Sequence, residues 1–159
     1  MNLTVIGVGA LKERYWRDAC AEYLKRLTAY CRPEVIEVKD ERTPEKISET
    51  ERNLILRKEG ARILEKAGDR TFLIAADLRG SRCSSEQFAE ALSEWEIRGR
   101  GNLTFVIGGS LGLSEEVLRR ADVRVSFSDL TFPHQLMRVI LLEQIYRAFR
   151  IRTGAPYHK

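Results

Sequence analysis

With 159 residues, 43% of them hydrophobic, the chain has the length of one domain and enough apolar side chains for a sizeable core. No run reaches the ~18 apolar residues of a membrane span. The opening MNLTVIGVGALKERY also lacks the basic segment and long apolar stretch of a secretory signal, so one soluble, cytoplasmic domain over residues 1–159 is expected. Cys20, Cys31 and Cys83 are odd in number and form no pair at two-residue spacing, and His134 and His158 stand far apart without cysteine neighbours. Reduced thiols are expected, and metal chemistry is not supported.

The 27 basic and 23 acidic residues give a net charge of +4. From Pro133 onward there are five basic residues (Arg138, Arg147, Arg150, Arg152, Lys159) against Glu143 alone, which leaves 22 of each sign elsewhere. The whole excess therefore lies in the last segment. It reads as a solvated helix face or as a surface for a polyanion, and the pI of about 9.1 tilts the choice towards nucleic acid.

Along the chain, short apolar runs alternate with longer amphipathic stretches. The run Leu3–Val8 is followed by 11–30, then by Glu34–Val38, then by a charged span opened by Thr43 and Pro44 and reaching about Ala67. Next come Thr71–Asp77, Ser84–Glu96, Leu103–Gly109, Ser114–Arg120, Val123–Ser128 and finally 133–151. This alternation predicts an α/β fold with a mainly parallel sheet flanked by helices. Ser84 with Gln87 predicts a capping box, Ser114 followed by Glu115 and Glu116 marks another helix start, and Thr43-Pro44 and Pro133 set prolines near helix starts. TFLIA and LTFVI are continuously apolar, as central parallel strands are.

The final helix is apolar around most of its circumference, with Leu136, Met137, Val139, Ile140, Leu141, Leu142, Ile145, Tyr146 and Phe149. A last helix at the edge of a small domain buries two faces poorly. One face is therefore expected to pack against a second copy of the chain.

Three loops leave three predicted strands: DLRGSRCSS, GGSLGLSEE and SDLTFPHQ. In a parallel sheet they gather at the carboxyl edge, where ligands bind. The glycines Gly108, Gly109 and Gly112 serve equally as a tight turn or a ligand cradle. The third loop offers hydroxyls (Ser126, Ser128, Thr131) among apolar walls (Phe127, Leu130, Phe132), which suits a flat, nucleoside-like ligand. A rival site at VIGVGAL resembles a dinucleotide turn, but Lys12 stands where a small residue is needed.

Together, IGGSLGL, LTFPHQLMRVILLEQIYRAFRI and GAPYHK resemble the RlmH family of SPOUT methyltransferases. The resemblance implies a homodimer that uses S-adenosylmethionine to methylate N3 of a pseudouridine in 23S rRNA, on the 70S ribosome or large subunit, and a C-terminal trefoil knot. By position it implies a cofactor pocket of Ala76, Gly108, Phe127, Ser128, Asp129, Leu130, Thr131 and Phe132. This chain carries Gly80-Ser81-Arg82 where many relatives have Gly-Lys after the third strand, and Gly9-Ala10 near the amino terminus.

Methyl transfer to a protonated nitrogen is aided by a base. His158 is the expected one, with RNA contact as its alternative. His134 is expected to cap or pack at its helix start, with a catalytic role as the alternative. In a twofold dimer, the tail would be ordered by the second subunit and the RNA, with Tyr157 stacking on a base and Arg147 steering it. Arg138, Arg150, Arg152 and Lys159 would contact phosphates. Two other readings remain open, a noncatalytic ribosome- or RNA-binding module and a related methyltransferase acting on tRNA.

Overall fold

The computed structural model describes residues 1–159. Five strands, β1 (Asn2–Val8), β2 (Arg32–Val38), β3 (Phe72–Ser81), β4 (Asn102–Ile107) and β5 (Val123–Val125), form one sheet in the order β2-β1-β4-β3-β5. Every pairing is parallel, so every strand leaves the sheet at the same edge. The connections are α1 (Arg14–Leu27), α2 (Glu49–Ala67), α3 (Ser85–Arg98) and α4 (Glu115–Arg120), and α5 (His134–Arg152) closes the chain.

Alternation along the strands builds two cores. Leu3, Val5, Phe72, Ile74, Leu103 and Phe105 face the layer of α1, α3 and α5, while Ile6, Val8, Leu73, Ala75 and Val106 face α2 and α4. Helix starts follow local chemistry. Ser84 and Gln87 form the expected capping box, and the Ser114 hydroxyl accepts from Val117 N at 3.2 Å. The charged span behaves differently from its reading. Thr43 and Pro44 lie in a loop, and α2 starts only at Glu49 because Ser48 and Glu51 form a second capping box that satisfies two backbone donors.

The first exit loop is also shorter than read from sequence, because β3 runs on through Gly80 and Ser81. Past a bulge, Ser81 pairs with Val125, and Ser126 N donates to Ser81 O at 3.0 Å. A Cβ on Gly80 would sit 2.6 Å from the Arg124 carbonyl carbon, so only glycine admits β5 at this distance.

Much of the apolar circumference of α5 is accounted for within the chain, because the expected edge position is not the one observed. The helix is not at an edge but lies between α1 and α3, over the sheet. Leu141, Leu142, Ile145, Ala148 and Phe149 are buried within the chain's own core. Each fully buried Leu or Ile is worth about 1.5–3 kcal/mol, against at most about 1 kcal/mol for an exposed ion pair, so packing sets the position of α5.

Arg138 departs furthest from its expected role. It is 2% exposed, and its guanidinium donates to Gly9 O at 3.0 Å and lies 3.1 Å from Glu37 Oε2, which itself accepts from Leu11 N at 3.0 Å. A Cβ on Gly7 would collide with that guanidinium at 2.4 Å. Arg138 is therefore not a phosphate contact but a buried strut from the first turns of α5 to the carboxyl end of β1, because a side chain so enclosed has no route to a polyanion.

Arg138→Met keeps most of the apolar stem and deletes the guanidinium. It is expected to lower the unfolding free energy by about 1.5–3 kcal/mol, the range for a hydrogen bond made by a charged group, read as a fall in the urea midpoint. A midpoint equal to that of the parent chain would show that the strut contributes nothing.

Candidate functional site

The loops that leave β3, β4 and β5 meet around one cleft of about 1110 Å³ at the carboxyl edge. Ala76, Gly108, Phe127, Ser128, Leu130, Thr131 and Phe132 all line it, together with His134. Of the eight pocket residues named by resemblance, only Asp129 is outside the lining. It is exposed and turned to an ion pair with Arg82.

The glycine turn is shaped by close backbone approach. Gly109 and Gly112 form an isolated bridge, Gly112 sits at φ +87°, and a Cβ on Gly108 would lie 2.3 Å from Gly112 O. No side chain fits at Gly108 without opening the turn, and Gly112 holds a backbone angle that L side chains rarely adopt. The third loop is braced by its own hydroxyls. Ser126 Oγ donates to Ser128 O at 3.0 Å, and Leu130 N donates to Ser128 Oγ at 2.9 Å. Phe127 anchors the loop edge-on against Phe88, with ring centroids 5.7 Å apart, while Leu130 is left 72% exposed at the rim.

One wall was not read from the sequence. Arg52, Leu56 and Arg57 of α2 and Glu116 and Arg119 of α4 complete the cleft. Gly60 explains this geometry, since a Cβ there would sit 2.3 Å from Ser114 Oγ, so its absence lets α2 lie against the start of α4. Arg57 pairs with Glu116 at 3.6 Å. A glycine inside an otherwise helical span was the available sequence signal.

His134 does not cap α5. Pro133 holds the cap position without a side-chain bond, and the imidazole lines the cleft instead. Burial, and then the Arg138 charge, push its pKa below the ordinary histidine value against the opposing pull of Asp40.

A second cluster gathers the tail. Tyr157 OH donates to Glu143 Oε1 at 3.0 Å, with the Arg147 guanidinium 4.8 Å from its ring centroid and Tyr146 edge-on at 5.0 Å. Arg147 also pairs with Glu143 and donates to His158 Nδ1 at 3.2 Å, while His158 Nε2 lies 2.8 Å from Glu86 Oε1 at the start of α3. The tail is thus ordered by α5 and α3 of its own chain, which corrects the expectation that a second subunit and RNA supply the order. None of Arg147, Tyr157 and His158 lines the cleft of the same chain.

The remaining basic residues divide. Arg150 donates to Tyr30 OH at 3.0 Å, Arg152 to Glu96 Oε2 at 3.0 Å, and Lys159 is exposed.

The family model described as "Predicted SPOUT methyltransferase" matches residues 1–158. Ribosomal RNA large subunit methyltransferase H of Carboxydothermus hydrogenoformans is 57% identical over 159 residues, covering 100% of both chains. The chain belongs to the SPOUT methyltransferases, in the family of ribosomal RNA large subunit methyltransferase H. The proteins of that name from Bacillus cytotoxicus and Clostridium kluyveri are 55% and 52% identical, again over the full length of both chains. Among solved structures, the tRNA (m1G37) methyltransferase of Aquifex aeolicus superposes with a TM-score of 0.54 at 13% identity, over 92% of this chain and 70% of that one. A methylase family protein of Haemophilus influenzae gives 0.52 at 14%, over 99% and 70%. These two share the fold of the five-stranded sheet and its helices, and the family model gives that fold its SPOUT name. Within the SPOUT chain, the cleft is formed by the exits of β3, β4 and β5, and the tail cluster stands apart from it.

Desolvation, followed by the bond to Glu143, pushes the Tyr157 pKa up to about 12. Alkaline titration followed by phenolate absorbance is expected to show a step at about 12 that Tyr157→Phe removes. Because the folded value lies above the ordinary ~10, this group's contribution to stability is complete below ~10 and is lost as pH rises through the folded value.

Proposed function

We propose that the chain is an S-adenosylmethionine-dependent methyltransferase of the bacterial cytoplasm that methylates N3 of a pseudouridine in 23S rRNA. The whole chain acts as one catalytic domain, and the substrate is the 70S ribosome or its large subunit. The observation that carries this reading is the convergence of three strand exits on one cleft. The residues fit the cofactor. The Gly108–Gly112 turn brings backbone without side chains at its glycines to the cleft wall, Phe127 and Leu130 offer apolar surface to a flat base, and Thr131 offers a hydroxyl. Bound there, the cofactor supplies an electrophilic methyl group on a sulfonium.

The rest is positioning, because an in-line displacement needs nucleophile and methyl held at attack distance and alignment. A homodimer supplies the missing half. Leu136 and Ile140, four residues apart on α5, are half-buried and stand outside the chain's own core, which suits a twofold contact. In this reading the tail of one subunit serves the cleft of the other across such a contact, with His158 as the base that takes the N3 proton. Lys159, which is exposed, remains available to phosphates, and Arg152 reaches them only by leaving Glu96. Trefoil threading belongs to the same reading. It is supported by the closure of β5 on Ser81 just before the chain re-enters the helix layer as α5.

Calorimetric titration with S-adenosylmethionine is expected to show binding, and no heat would favour a noncatalytic RNA-binding module. Gly108→Ala forces the turn open at a strain of about 1–3 kcal/mol, which weakens cofactor binding roughly five- to 150-fold. Removing Pro156 to Lys159 is expected to abolish methylation of ribosomes carrying unmodified pseudouridine while leaving cofactor affinity unchanged. Unaltered methylation by the truncated chain would refute the role of the tail.

A further inference from the structure

The tail histidine sits between two side chains of fixed hydrogen-bonding character. Arg147 has only donors, so the bond of 3.2 Å between its Nη1 and His158 Nδ1 requires Nδ1 to be the acceptor. His158 Nε2 is 2.8 Å from Glu86 Oε1. An ionised carboxylate only accepts, so Nε2 must carry the proton. A bond from its own backbone N–H in the first turn of α3, and then the bonds with His158 and Ser84, bring the Glu86 pKa down to about 2, so the carboxylate is ionised. The two contacts agree on a single neutral tautomer, with Nε2–H on the carboxylate and the Nδ1 lone pair on the arginine.

From this geometry we propose that Glu86 is the positioning residue of the reaction, fixing His158 so that Nδ1 is the atom that accepts the proton from the target base. The inference rests on His158 being the base, as argued above. In the step it implies, the N3–H proton of the pseudouridine passes to Nδ1, and the N3 electron pair forms the new bond to the methyl carbon. The C–S bond breaks with its electron pair left on sulfur. The resulting imidazolium faces the Glu86 carboxylate. For the substrate to reach Nδ1, Arg147 must vacate it. Anchored by Glu143, Arg147 then has an N–H free for a carbonyl oxygen beside N3, where negative charge develops. The arrangement has the logic of a carboxylate orienting a histidine base, with the ring nitrogens in exchanged roles.

Two measurements on the full-length protein test this. The first is the pair of ring 15N shifts of His158 in 15N-histidine-labelled chain, read through the carbon-bound ring protons because the contact with Glu86 is open to solvent; the chain has only two histidines. A protonated Nε2 and an unprotonated Nδ1 are expected in the parent protein, and a mixture of the two tautomers in Glu86→Ala. Ring shifts unchanged by the substitution would overturn the contact whatever the activity.

The second is a double-mutant cycle on methyl transfer to ribosomes. Glu86→Ala is expected to lower kcat about ten- to a hundredfold, part of the ~10²–10⁴ that a positioned base contributes, with cofactor Kd unchanged. Glu86→Gln, which keeps an acceptor, is expected to restore part of the loss. In a His158→Gln background, Glu86→Ala is expected to cost nothing further. Additive losses, or a parental kcat in Glu86→Ala, would overturn the positioning role. A parental kcat in His158→Gln alone would instead overturn the base assignment on which the role rests, and that outcome is read separately from the single variant.

Discussion

A parallel strand cannot turn back on itself. Each connection must cross a face of the sheet before the next strand begins, and so all strands end at one edge. In this chain that constraint applies to every pairing, and it assembles the cleft without any long-range instruction particular to the cleft. What remains for individual residues is to keep the loops at that edge close together. Gly80 does so by admitting β5 against the β3 extension, and Gly108 does so by letting its turn close on Gly112. Both act through a missing Cβ, where a methyl group would meet backbone that cannot move aside.

Arg138 ties this edge to the last helix. A guanidinium removed from water is costly unless it is bonded, and its partners here are a strand-end carbonyl and a carboxylate of the neighbouring strand. The same carboxylate holds Leu11 N, so β1, β2, the turn after β1 and the start of α5 are joined through one ion pair. His134, one turn before Arg138, takes its neutral preference from that burial and that charge. The strut thus reaches the cleft electrostatically as well as mechanically.

The sheet and its exits were legible because their signals are local or periodic. Continuous apolar runs mark β3 and β4, Ser84 with Gln87 marks the start of α3, and glycines mark the turn after β4. Three features were not legible, for physical reasons. Thr43-Pro44 points to too early a start for α2 because proline is a strong local signal, while the capping box at Ser48 and Glu51 lies inside a charged stretch that masks it. The wall of the cleft made by α2 depends on how two helices pack, and only Gly60 hints at it. The role of Arg138 depends on a contact across 129 positions of sequence, which no local pattern carries.

The charge of the last segment shows the same difference between sequence and space. Read in order, five basic residues against one acidic residue make a polyanion surface. In three dimensions Arg138 lies against Glu37, Arg152 against Glu96 and Arg147 against Glu143, and Arg150 is spent on Tyr30. The cations of α5 mostly hold the fold together, and only the tail end keeps charge to spare. The tail itself is secured by polar contacts among partly exposed groups, which are individually weak in water. Such contacts define a geometry without committing to it. A base held in one tautomer by a carboxylate, and covered by an arginine that must step aside, calls for that combination of order and weak retention.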